Sequence, residues 1–213
     1  MSFTSKTDVG NGALDLLDAG TVQDIETPTS PTEELLARWI DHTRRLCLRQ
    51  HPWNFAKKRA SLAASATAPD FGFTLKFPLP DDFIRVLSIN DNDYFYDNLP
   101  TDQYEFEDNH LLVGEGVYSA SDVLRLVYIY DFQDIARMDP MFIDLWIHEL
   151  ALMIAYKATT SNTNVERVAK LKDDRRSLAM AIDGQERPPK RVQRSRMRDA
   201  RRNGRAATHR IIF

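Results

Sequence analysis

The sequence predicts an α+β fold: a helical bundle of about four helices, an inserted antiparallel β module and an extended basic C-terminal arm. Two stretches, residues 13–50 and 139–182, repeat apolar residues at the helical period of 3.6. Between them, short segments alternate apolar and polar residues and are separated by turn residues, which is typical of strands. After Gly184 the apolar periodicity stops and arginines dominate, so we expect the chain end to be disordered in isolation.

These changes of pattern divide the chain into four parts. We assign residues 1–56 to the N-terminal part of the bundle, 57–130 to the β insertion, 131–184 to the C-terminal part of the bundle, and 185–213 to the arm. A length of 213 residues with 43% hydrophobic content is enough for a packed core with tails. No apolar run approaches the roughly 18 residues of a membrane span, and the start lacks a signal-peptide layout. We therefore expect a protein that is cytoplasmic when it is made.

The first two helices are predicted from apolar spacing and capping residues. A short first helix is expected near residues 13–19, where three leucines cluster. Ser30, followed by Pro31 and two glutamates, predicts the start of the second helix. A serine caps free backbone amides, proline fits the first turn, and acids favour the positive end of the helix dipole. Pro52 disfavours helical geometry at the residue before it, so the second helix should end there.

The β region is predicted from period-two patterns. The clearest strands are Phe83–Ile89 and Val123–Tyr130, the second of which has aliphatic residues on both faces. Further strands are expected at residues 73–77, 94–96 and 110–113 and around Tyr118, with a tight turn at residues 114–116. Trp53 and Phe55 stand where helix changes to strand. We predict that they form the structural junction between the bundle and the β insertion.

The second half of the bundle is predicted to contain two helices. Asp139 and Pro140 are a cap and a first-turn residue for a long apolar helix, which should be the central one. Thr163 and Glu166 have the spacing of a capping box, so a last helix is expected from there to about Ile182.

Motifs for catalysis are incomplete in this chain. His148-Glu149 resembles the start of a zinc-protease motif, but Leu152 stands where the second histidine is needed, so both residues are expected on a helix face. The glycine pairs near residues 10 and 114 lack the features of phosphate loops. Cys47 is the single cysteine and lies in an apolar helical pattern, so a core residue is expected rather than a nucleophile. We therefore predict no enzymatic activity and no cofactor.

A calcium site is also not predicted. The segment "DNDYFYD" places acids at 91, 93 and 97, yet Tyr96 occupies the position where a calcium loop requires glycine. A solvated turn is the expected structure, and no metal is assigned.

Charge is distributed unevenly along the chain. Residues 187–213 hold ten Lys/Arg and one acid, a net charge of +9, which leaves −12 for residues 1–186 because the whole chain carries −3. The arm ends in Ile211, Ile212 and Phe213. A basic arm with an apolar tip is suited to docking on another protein, because its charge steers the encounter with the partner and its apolar tip anchors the arm to the partner's surface.

Four segments, in a fixed order, carry a resemblance to a known family. They are "ALDLLDAGTVQDI" from residue 13, "ARWIDHTRRLCLRQHPWNFAKKRASL" from residue 37, "LKFPLPDDFIRVL" from residue 75, and "LRLVYIYDFQDIARMDPMFIDLWIHELALMIAYKATTSN" from residue 124. Together they resemble the head-to-tail adaptor (connector) family of tailed bacteriophages, the group that includes tail tubular protein A of short-tailed phages. The likeness covers about residues 13–186, and its strings are structural rather than catalytic.

The resemblance implies a structural virion protein of the neck. In this family the subunits form a homo-oligomeric ring, a dodecamer, which sits between the portal protein and a downstream tail or nozzle protein and conducts genomic DNA during ejection. The C-terminal extension of such proteins climbs onto the portal. On this basis we predict the portal-binding arm residues to be Arg191, Arg194, Arg198, Arg201, Arg202, Ile211, Ile212 and Phe213. The expected location is the virion, and the host cytoplasm during assembly, with no membrane partner.

An acidic body is compatible with a lumen through which DNA slides without specific binding, since like charges repel. A nucleic-acid-binding or DNA-packaging accessory protein is the alternative, because the ten cations of the arm could neutralise phosphates. Against this alternative, the arm has no aromatic residue between Arg187 and Arg210 to stack on bases.

Overall fold

A computed structural model describes residues 3–89, 92–93, 104–114, 123–159 and 162–186. Over these ranges the chain forms four α-helices and two small antiparallel sheets, so the predicted α+β class is confirmed. The helices are α1 (Lys6–Leu16), α2 (Pro31–Gln50), α3 (Pro140–Thr159) and α4 (Asn162–Gln185), with short 3₁₀ turns at Asn54–Ala56 and Ile135–Arg137. The strands are β1 (Lys57–Ala63), β2 (Leu75–Pro78), β3 (Phe83–Ile89), β4 (Asn92–Asp93), β5 (Tyr104–Glu107), β6 (His110–Val113) and β7 (Val123–Tyr130).

Helix α1 lies earlier in the chain than predicted. It begins after Ser5, whose hydroxyl accepts a hydrogen bond from the Asp8 amide at 3.1 Å, while the Asp8 carboxylate accepts one from the Ser5 amide at 2.9 Å. This reciprocal capping box nucleates the helix seven residues before the apolar cluster that suggested it. Gly10 leaves room inside α1 for Ile25, since a Cβ there would lie 2.3 Å from the end of the Ile25 side chain and would force that methyl group to shift.

The predicted start and end of α2 are confirmed. The Ser30 hydroxyl accepts from the Glu33 amide at 3.3 Å, and the Glu33 carboxylate accepts from the Ser30 amide at 2.9 Å. The helix ends at Gln50, two residues before Pro52. In the last turn the carbonyl of Cys47 accepts a hydrogen bond from the Trp53 indole N–H at 2.9 Å. The tryptophan therefore satisfies one of the carbonyls that a helix end leaves free.

The strands form two sheets, with orders β1-β7-β3-β4 and β2-β6-β5. The predicted strands β3, β6 and β7 are confirmed, and the one predicted at 73–77 begins at Leu75. In the first sheet β7 pairs with β1 from Lys57 opposite Ile129 to Ala63 opposite Val123. The strand predicted at 94–96, the one around Tyr118 and most of the turn at 114–116 lie outside the described residues.

Strand β7 separates two hydrophobic cores, which explains its aliphatic residues on both faces. Leu124, Leu126 and Tyr128 belong to the core between the two sheets. Ile129 belongs to the larger core, which the helices share with the first sheet, and Val127 packs against it. Because side chains alternate along a strand, one segment can serve both cores.

Helix α3 is the central helix, as predicted, and contacts α1, α2 and α4. Eleven of its 20 residues are buried, among them His148 and Glu149. Both residues lie on α3, and the face that carries them is buried; Lys172 of α4 lies 3.6 Å from the Glu149 carboxylate.

Helix α4 starts earlier and ends later than predicted. Thr163 is its second residue, so the capping-box pattern does not mark the helix start. The helix continues to Gln185, three residues past the predicted end. Its last turn is held in place by Asp183, a residue whose role the apolar pattern could not reveal.

Candidate assembly interface

Trp53, one of the two residues predicted to form a structural junction, lies between the end of α2 and the 3₁₀ turn that precedes β1. Its side chain is fully buried, and its ring packs edge-on against Phe142 of α3 with centroids 5.1 Å apart. Edge-to-face aromatic pairs stabilise beyond the area that they bury. Trp53 thus connects the end of α2 to the first turn of the central helix.

Phe55 extends the same aromatic cluster. Its ring lies 5.0 Å from that of Phe142 and 5.3 Å from that of Phe132, the second residue after β7. The cluster therefore lies where the chain enters the β region after α2 and where it leaves that region after β7.

The arm residues predicted to bind the portal all lie outside the described residues. The end of α4, from which the arm continues, is fixed by Asp183. Its buried carboxylate accepts a hydrogen bond from the Asn54 amide at 2.8 Å and lies 2.9 Å from His51 Nε2, and its carbonyl accepts from the Asn54 side chain at 2.8 Å. The attachment point of the arm is thus bonded directly to the junction between α2 and β1.

The bundle has one strongly acidic region. Residues 7–37 contain seven acids and no Lys, Arg or His. Asp8 and Glu33 cap their own helices, and hydrogen bonds from the Thr29 amide first, then from the Thr29 hydroxyl and Ser30, lower the pKa of Glu33 to about 2. Glu34 lies in the first turn of α2. We use the name acidic pole for the other four acids, which lie from the last turn of α1 to the loop before α2: Asp15, Asp18, Asp24 and Glu26.

The acidic pole is presented on the surface. Asp15, Asp18 and Glu26 are exposed, whereas Asp24 is half-buried and accepts hydrogen bonds from the Thr27 hydroxyl and the Glu26 amide. These hydrogen bonds lower the pKa of Asp24 and keep it ionised. Buried Ile25 packs against α1 near Leu36, so Asp24 and Glu26 lie beside the first turns of α2, whereas Asp18 lies 3.8 Å from Arg167 of α4.

The next residues have the opposite charge. Residues 38–60 contain seven Lys/Arg and one acid, Asp41. After Glu34, the exposed positions of α2 are Arg38, His42, Arg45 and Arg49, which follow one another at helical spacing and form what we call the basic stripe. At 1.5 Å per residue the stripe is about 16 Å long.

The buried arginine of α2 is not part of this stripe. Arg44 is 3% exposed, and it donates hydrogen bonds to Asp131 at 2.5 Å and to the Phe132 carbonyl at 2.6 Å. This pair joins α2 to the segment that follows β7. Arg45 lies 4.0 Å from the same aspartate and is 59% exposed, so its side chain remains available to a partner.

A polar cluster in the β region is structural as well. Asp82 accepts hydrogen bonds from Lys58 at 2.6 Å and from the Tyr128 hydroxyl at 2.8 Å. Burial raises the pKa of Asp82, but these two donors outweigh it and the net shift is downward. Burial, aided by the hydrogen bond to Asp82, raises the pKa of Tyr128. The cluster joins β1, the turn before β3, and β7.

The net charge of −12 on residues 1–186 hides this segregation of acidic and basic residues. Counting charges in short windows along residues 7–60 reveals the segregation.

Cys47 is fully buried, as expected, and burial raises the pKa of its thiol. In the part of the chain that the structure describes, no cluster of three His, Cys, Asp or Glu could hold a metal ion. No helix within these ranges is both long and apolar enough to cross a bilayer.

Comparison with known proteins gives no identification: no protein-family model matches the chain, and no curated protein matches its sequence significantly.

Proposed function

We propose that this chain is a head-to-tail adaptor, a structural protein that forms a ring between the portal and the tail of a bacteriophage. The observation that carries the proposal is the order of the four resembling segments along the chain. They correspond to the end of α1 with the loop that follows it, to most of α2 with the junction and most of β1, to the β2–β3 region, and to most of β7 with α3. The four segments thus include residues of both cores.

On this proposal the parts of the chain have different partners. The helical bundles pack side by side in the ring, the β region faces the downstream tail or nozzle protein, and the arm binds the portal. Asp183 would matter here, because it bonds the start of the arm to the junction of the body. The ring has no catalytic role, and genomic DNA passes through its lumen without specific binding.

A DNA-binding accessory protein is the second candidate. The net charge of +9 on residues 187–213 favours it, because each neutralised phosphate releases a counterion and strengthens binding. The two candidates assign different partners to the same arm, so one set of variants can separate them.

The test uses the full-length chain with Arg191, Arg194 and Arg198 replaced by glutamine, and a second variant with Ile211, Ile212 and Phe213 replaced by serine. Binding to the portal protein of the same virus is measured by pull-down, and binding to a duplex DNA oligonucleotide by fluorescence anisotropy over a salt series. The adaptor proposal predicts that both variants lose portal binding and retain the unfolding midpoint of the wild type. Unchanged portal binding, with loss of salt-sensitive DNA binding in the arginine variant, would instead favour the accessory protein.

A further inference from the structure

We infer that the acidic pole of one copy binds the basic stripe of a second copy, so that the subunits associate head to tail. This inference rests on the proposed ring and identifies the surfaces that make its subunit contact. It starts from two surfaces of opposite charge on one bundle, the acidic pole (Asp15, Asp18, Asp24, Glu26) and the basic stripe (Arg38, His42, Arg45, Arg49).

Little of this charge is neutralised within the subunit. Among the described residues, Asp15 and Glu26 have no ion pair, and Asp18 is 3.8 Å from an arginine of α4. Arg38 likewise has no ion pair within the described ranges, and Arg45 reaches Asp131 only at 4.0 Å. These groups are therefore available to an external partner of opposite charge.

The stripe begins near one part of the pole and extends away from it along α2. Asp18 lies beside Arg167 of α4, whereas Asp24 and Glu26 flank buried Ile25, whose side chain meets that of Leu36, near the start of α2, at Gly10 of α1. The stripe runs from Arg38 away from that end, and its far end at Arg49 is about 20 Å along the helix from Leu36. A contact between two different surfaces of identical subunits is heterologous, and a heterologous contact that closes on itself generates a ring.

The surroundings of the stripe favour a protein partner over DNA. Trp39, which packs its ring edge-on against His42 at 5.6 Å, is only half-buried, as are Leu35 and Leu46 on the same side of α2. Arginine and tryptophan around a small apolar patch are typical of the energetically dominant part of protein interfaces. A second copy of this chain presents an acidic surface of this kind, its acidic pole.

Reciprocal charge reversal tests the inference. The stripe variant is Arg38→Glu with Arg45→Glu, and the pole variant is Asp15→Lys with Glu26→Lys; none of these four side chains makes a hydrogen bond in the described part of the chain. Arg137→Glu with Lys170→Glu is the matched control, since both of these cations are exposed and lie outside the two surfaces. Association of the full-length proteins is measured by sedimentation velocity at about 50 mM and about 1 M NaCl, where screening is weak and strong respectively.

The wild type and the control should associate at low salt and dissociate at high salt. Each reversed variant alone should associate at least about tenfold more weakly, because repulsion replaces attraction. An equimolar mixture of the two reversed variants should regain association, since the acidic stripe of one variant faces the basic pole of the other. Regained association in the mixture is expected only from a contact between these two surfaces.

Several results would overturn the inference. If the wild type forms rings that neither reversal weakens, the contact lies elsewhere, while the adaptor proposal stands. If the wild type stays monomeric at low salt at every concentration, the inference fails, and if it also forms no ring on the portal, the proposed function fails with it. If the stripe variant loses only binding to duplex DNA, the stripe is a phosphate-binding surface. If association is lost on neutralising the arm arginines but not the stripe, the pole binds the arm.

Discussion

Replacing Trp53 tests the role of the aromatic junction most sharply. The side chain is fully buried, donates its indole N–H to the Cys47 carbonyl at 2.9 Å and packs on Phe142. Trp53→Phe removes the donor and leaves a gap in the core, while an aromatic ring remains.

The expected loss can be estimated from these contacts. A buried carbonyl left without its donor costs about 1–1.5 kcal/mol. The smaller ring leaves a cavity that costs about a further 1 kcal/mol. Trp53→Phe should therefore lower the free energy of unfolding by about 2–3 kcal/mol, and Trp53→Ala by about 4 kcal/mol.

Urea denaturation followed by far-ultraviolet circular dichroism measures the change without relying on the fluorescence of the replaced residue. Trp39→Phe is the matched control, because Trp39 is half-buried on the outer side of α2 and its replacement should cost less than about 1 kcal/mol. If Trp53→Phe and Trp39→Phe destabilise equally, the indole is not what holds the end of α2 to the central helix.

Three further predictions concern other contacts of the bundle. In the wild type, ionised Glu33 contributes stability that is fully present above about pH 4.5 and is lost as the pH falls toward 2, because the folded state lowers the pKa of Glu33 to about 2. Glu33→Gln should remove this contribution. Thermal unfolding of both proteins over that pH range measures the difference. Arg44→Met should cost about 2–4 kcal/mol in urea, since it leaves the largely buried Asp131 with the exposed Arg45 at 4.0 Å as its remaining ion-pair partner among the described residues, whereas Arg45→Met should cost less than about 1 kcal/mol. Asp183→Ala should release the last turn of α4, which hydrogen exchange of the helix amides would detect as faster exchange near residue 183.

Each of these predictions has a clear contrary result. If the stability of the wild type and that of Glu33→Gln fall equally as the pH is lowered from about 4.5 to 2, protonation of the Glu33 carboxylate does not affect folding. Equal destabilisation by the Arg44 and Arg45 variants would mean that burial of the ion pair is unimportant. Unchanged exchange at the end of α4 in the Asp183 variant would mean that other contacts hold the helix.

Much of the fold follows from local signals in the sequence. The boundaries of α2 were predictable because Ser30, Pro31 and Pro52 restrict the backbone directly. Strand β7 was predictable because both of its faces are covered by other elements, so aliphatic residues occur at nearly every position.

Other features depend on tertiary contacts that no local pattern reports. Helix α1 contains Gly10 and Gly12, poor helix formers against which the ends of the Ile25 and Ile147 side chains pack closely. The environment of buried Glu149 depends on where α4 packs, since Lys172 of that helix lies 3.6 Å from its carboxylate. The basic stripe could be recognised only once the exposed side of α2 was known, because buried Arg44 adds another cation to the same segment.

Electron microscopy of the full-length protein mixed with the portal protein of the same virus tests the proposed adaptor role most directly. The proposal predicts a closed annulus with an open central channel, stacked coaxially on the portal. Portal particles without added density, beside subunits that remain single, would contradict it.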